Sequence, residues 1–111
     1  MLKTALVIFA AAALGGATLA YMRIVKKDVS MPLAILHGIL AASGLVLLIL
    51  GLGQMDSTGL KVALGVFVLA AIGGFILFSF HLRSRPLPVP LVVVHGAVAV
   101  IAFVILLLSV F

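Results

Sequence analysis

The chain repeats itself. Shifted by 58 residues, segment 1–53 lies over segment 59–111 without a gap, and 18 of the 53 pairs are identical. Leu2, Lys3, Ala5, Leu6 and Phe9 return as Leu60, Lys61, Ala63, Leu64 and Phe67. Ala12, Ala13, Gly15 and Gly16 return as Ala70, Ala71, Gly73 and Gly74, and Pro32, Leu33, His37 and Gly38 as Pro90, Leu91, His95 and Gly96. A repeat constrains the architecture first, because each half must be one structural unit that can pack against a copy of itself. It also lets one half be compared with the other, and the retained His-Gly pair is the feature that points to function.

The solvent for these units follows from composition. Residues are 67% hydrophobic and 8% charged, with a mean hydropathy of +1.58, which no water-soluble domain of this length would carry. Four apolar runs, 4–22, 32–52, 60–82 and 90–111, each hold about 19 to 23 residues. At 1.5 Å per residue, such a run spans a hydrocarbon core of roughly 30 Å. The runs lack the two-residue alternation of barrel strands, so helices are required to satisfy the backbone in lipid. The expected fold is an all-α membrane bundle of four transmembrane helices, a single domain over 1–111. Repeat one covers 1–53, a linker 54–58, and repeat two 59–111. The first run looks like a signal peptide in isolation. Its return as the third run, where no signal peptide can stand, argues that it is retained. With no cysteine, disulfides, thiolate metal sites and covalent haem attachment are excluded.

Charge sets the expected orientation. The link between helices 1 and 2 carries Arg23, Lys26 and Lys27, and the link between helices 3 and 4 carries Arg83 and Arg85. The other side has only Lys3 and Lys61, with Asp56. The positive-inside rule then puts the basic links in the cytoplasm and both termini in the periplasm of a bacterial inner membrane. The net charge of +5 reads as contact with anionic lipid headgroups, not with nucleic acid.

Each repeat is a helical hairpin. Two hairpins in one chain enter the membrane in the same direction, so they are parallel repeats about an axis along the membrane normal. Helices 2 and 4 are then equivalent, and His37 and His95 stand at equal depth. Pro32 and Pro90 suit the first helical turn, and each histidine follows five residues later, about 7–8 Å into the membrane.

A polar ring in hydrocarbon needs partners, and intramembrane ionisable residues are functional candidates by default. The neutral imidazole offers one N–H and one lone pair. Two imidazoles at one depth on facing helices can occupy both axial positions of a b-type haem, held edge-on between the helices. Gly15, Gly16, Gly73 and Gly74 would clear a flat slot, and Arg23, Lys27, Arg83 and Arg85 would meet the propionates. On these residues the chain resembles small membrane b-type cytochromes of the cytochrome b561 type, whose helical bundles hold haem between paired histidines. That resemblance implies one haem b and single-electron transfer to or from a quinone or a larger membrane complex, with a quinone as an alternative ligand. Many such proteins carry two haems near opposite faces. This chain has three histidines, all toward one side, so a full electron path would need a partner.

The plainer reading is a non-catalytic accessory or assembly subunit. In that case His37 and His95 hydrogen-bond each other, Ser43 or a water, which is worth about 0.6–2 kcal/mol in a membrane. The glycines then serve close helix packing. His81, whose repeat counterpart is Arg23, reads as an interfacial residue, with a propionate contact or substitute ligation of haem as its functional alternative. Asp28 and Asp56 are the only acids and both lie in links, so carboxylate-pair catalysis, a nucleophile–base–acid triad and a carboxylate–histidine metal site have no residues to work with. The expected partners are the bilayer and other membrane subunits or a second copy of the chain.

Overall fold

The computed structural model describes all residues 1–111 and contains four helices: α1 (Leu2–Ile24), α2 (Met31–Leu52), α3 (Thr58–Leu82) and α4 (Val89–Val110). All four are long and apolar enough to cross a membrane. They overrun the apolar stretches by a residue or two at most ends, where caps and turns take over. Ser30 and Ser57 each accept the backbone N–H three residues on, Leu33 and Leu60, and so start α2 and α3. Proline sits in the first turn of α2 and α4, where its missing N–H has no helical partner to lose. Asp56 pairs with Lys61 at 2.8 Å, but both side chains are well exposed and such a pair contributes little.

Helices α1 and α3 end in the same way. The Lys27 N–H reaches back to Met22 O and the Lys26 N–H to Arg23 O; likewise Arg85 reaches Phe80 O and Ser84 reaches His81 O. This doubled bond is the Schellman closure, which normally places glycine in the left-handed position. Here Lys26 (φ 60°) and Ser84 (φ 55°) take it, at a cost of about 1–2 kcal/mol each.

The helices form a ring in chain order. Each helix packs on its chain neighbours, α4 closes against α1, and the pairs α1/α3 and α2/α4 face each other diagonally. Diagonal partners meet at the centre through side chains in matching positions. Phe9 of α1 and Phe67 of α3 stack with ring centroids 3.9 Å apart and planes 6° from parallel. Around this stack Leu48, Leu60, Ala63, Ala102 and Leu106 are sealed. Gly44 makes the stack possible, since a Cβ there would come within 2.8 Å of the Phe9 ring. Only 15 of the 111 residues are buried. Leu14, Phe75 and Leu108 are each 74% exposed, so the outer faces are built for lipid.

Beyond the closures of α1 and α3, the two hairpins clasp each other. Arg23 Nε donates to Leu87 O at 2.6 Å, and His81 Nε2 donates to Val29 O at 3.1 Å. Arg23 corresponds to His81 under the 58-residue shift, and Val29 to Leu87. Each hairpin therefore donates from the end of its first helix to the link of the other. The Arg/His difference, unexplained by sequence, preserves a donor of suitable reach.

Candidate functional site

His37 and His95 project inward from α2 and α4, one and a half to two turns from the helix starts. Each ring is fixed by one bond to a neighbouring backbone. His37 Nδ1 lies 2.7 Å from Ala12 O on α1, and His95 Nδ1 lies 2.8 Å from Ala70 O on α3. A carbonyl oxygen can only accept, so in the neutral ring Nδ1 carries the proton and Nε2 keeps the lone pair. Neither Nε2 has a partner within the protein, and neither is sealed off among side chains. This is the posture of histidine ligands to metals, whose other nitrogen commonly donates to a carbonyl or carboxylate.

The glycines make room for the imidazoles. A Cβ on Gly16 would stand 2.8 Å from His37 Cε1, and one on Gly74 would stand 3.1 Å from His95 Cε1. Gly15 and Gly73 flank the same rings at contact distance. The flat object in the glycine slot is thus the imidazole itself. Close approach of α1 to α2 and of α3 to α4 also brings the Ala12 and Ala70 carbonyls within reach, so packing and tautomer have one cause.

The two rings have centroids 6.3 Å apart and planes at 89°. They border one cavity of about 80 Å³, floored by Phe9 and Phe67 and otherwise walled by Leu45 and the alanines of all four helices. The imidazoles are its only polar side chains. A second, larger recess of about 470 Å³ opens at the opposite end among the helix termini, near Lys3 and Gln54, and shares no residue with the histidine cavity.

A haem can be tested against this geometry. The donor set suits it, and the cavity between the rings is small. Cofactor sites run to about 300–1,000 Å³, and an engineered apolar cavity of about 150 Å³ takes one benzene. The 80 Å³ here is smaller than either, and the glycine slots hold the imidazole rings. The cations expected at the propionates are engaged or turned outward. Arg23 and His81 form the hairpin clasp. Arg83 bonds Ser79 and lies over the Phe80 ring, and Lys27 and Arg85 are exposed. His81 lends its Nε2 proton to Val29 O, which removes that nitrogen as a substitute ligand. Ser43 bonds Ile39 O on its own helix and not a histidine.

Sequence reasoning missed the Ala12 and Ala70 carbonyls, because a backbone acceptor leaves no mark in residue identity. The only trace was the recurrence of small residues there, Ala12-Ala13 and Ala70-Ala71. Comparison with protein-family models, with curated proteins and with solved structures found no match to this chain.

Proposed function

We propose that the chain is a two-repeat integral membrane protein whose working part is the His37/His95 pair, a site that gives two nitrogen lone pairs to one small electron-pair acceptor. The observation that carries this is the double backbone tether. With both Nδ1 atoms donating, neither ring can give an Nε2–H to the other. Both rings border one cavity whose other side chains are all apolar and offer no donor. Each Nε2 stays accessible and without a donor, so an occupant carrying positive charge or a proton would meet two open lone pairs. Under the positive-inside rule the site lies in the cytoplasmic leaflet, reached from the side with the basic links. The reading is of a binding protein or accessory subunit that holds a metal centre; no residue set for bond-making chemistry surrounds the site.

The fit of the imidazoles into glycine slots favours a second reading, in which the pair only locks α1 to α2 and α3 to α4. The two are separated by equilibrium dialysis of the detergent-solubilised protein against Cu(I), Zn(II) and haemin in turn. One equivalent of a metal ion per chain is expected, absent when both histidines are replaced by alanine. A folded protein that retains none of the three would leave the locking role alone.

A further inference from the structure

Resting on that reading, we infer that the occupant is a single bare monovalent d¹⁰ ion, Cu(I), held linearly between His37 Nε2 and His95 Nε2. Geometry, charge and ligand count each lead there.

Geometry comes first. A metal–imidazole bond is about 2.0–2.1 Å, and each ring centre lies roughly one ångström further back. Two imidazoles on opposite sides of one ion thus have centroids a little over 6 Å apart, a spacing that the 6.3 Å separation matches. The near-perpendicular rings keep their C–H edges out of each other's way. The cavity volume of about 80 Å³ accommodates an ion.

Charge narrows the choice. The only acids, Asp28 and Asp56, lie in links outside the helices, so the site has no anion to compensate a cation. The cost of burying an ion rises with the square of its charge, so a divalent ion is penalised roughly four times as heavily as a monovalent one. Two neutral imidazoles leave Cu(I) with a net charge of one.

Ligand count decides among the rest. Zinc takes four ligands in a tetrahedron, and calcium and magnesium take six or more oxygens. The cavity supplies two nitrogens and no oxygen or sulfur side chain. Imidazole is a good ligand for copper, and two donors complete the shell of a linear Cu(I). Alkali cations want oxygen and find no oxygen-bearing side chain. No redox step is involved: the ion enters and leaves as Cu(I).

The test is anaerobic titration of the purified full chain with Cu(I) in competition with a chromogenic chelator, followed by X-ray absorption at the copper edge. The expected result is one Cu(I) per chain with two nitrogen neighbours and no sulfur. His37→Ala or His95→Ala should each weaken binding by more than about 100-fold, beyond the 10–100-fold typical of losing an outer-shell partner. His81→Ala should bind as the unchanged protein does. Helicity and thermal unfolding of each variant separate lost ligation from lost folding, and His37→Gln, which keeps a polar side chain of similar volume, serves if the alanine variant misfolds. Preferential uptake of Zn(II), or of haemin with a low-spin bis-imidazole spectrum, overturns Cu(I) and leaves a paired-histidine site standing. Copper bound equally well after both histidines are replaced, or a three- or four-coordinate copper spectrum, overturns the linear site. Uptake of nothing by a folded protein overturns both the ion and the reading beneath it.

Discussion

Leucine in place of Gly16 is expected to keep α1 from docking on α2, with a loss of more than about 3 kcal/mol of bundle stability, the upper end for overpacking. The first added atom would already stand 2.8 Å from His37 Cε1. The ring cannot swing away without giving up its 2.7 Å bond to Ala12 O in a medium with no water to replace it. Even alanine should be felt, and unequally between the repeats. Gly74→Ala meets His95 at 3.1 Å, a distance that a small ring shift relieves, so Gly16→Ala should destabilise more. A mixed-micelle SDS titration followed by glycine amide signals reads both effects. Equal tolerance of Gly16→Leu and an unmodified control would show that the slot is not closed by the imidazole.

Phe9→Ala is the second large effect. In water-soluble cores such a truncation costs about 3–5 kcal/mol. Part of that is transfer from water, which is missing in a bilayer because lipid chains are as apolar as the core. Lost dispersion and the void remain, and we expect about 1–3 kcal/mol. Phe67→Ala should cost a similar amount. Because the rings stack on each other at 3.9 Å, the double variant should lose less than the two single losses combined, with a coupling of about 0.5–1.5 kcal/mol. Strict additivity in the same SDS titration would mean that the stack contributes only its volume. Removing the floor of the histidine cavity also enlarges it, so Phe9→Ala is the variant in which a bulkier ligand stands the best chance of entry.

Much of the fold was legible because lipid leaves few options. Twenty-odd apolar residues in a row, four times over, admit only helices, and the capping serines and early prolines mark three of the helix starts. The pairing of His37 with His95 was legible from the repeat. What occupies the glycine slots was not. Gly16 and Gly74 announce missing side chains, and composition cannot say whether a cofactor or a neighbouring side chain fills the gap; that depends on how closely α1 approaches α2. His81 read as an interfacial residue, with ligation as its alternative, and its place is set by a carbonyl in the other hairpin, 52 residues away in sequence. Residue identity reports side-chain donors well, but is silent about backbone acceptors, and both Ala12 and Val29 act through theirs.

With both Nδ1 atoms donating to backbone carbonyls, His37 and His95 each keep a bare Nε2 lone pair. Nitrogen-15 NMR of the histidine-labelled protein in bicelles, without added metal and at neutral pH, reads it directly, with the three rings assigned through His81→Gln and His95→Gln. The structure predicts protonated Nδ1 and unprotonated Nε2 for His37 and for His95, and the opposite tautomer for His81, whose Nε2–H donates to Val29. A protonated Nε2 on either His37 or His95, shared with the other ring, would contradict the account and reduce the pair to an interhelical hydrogen bond.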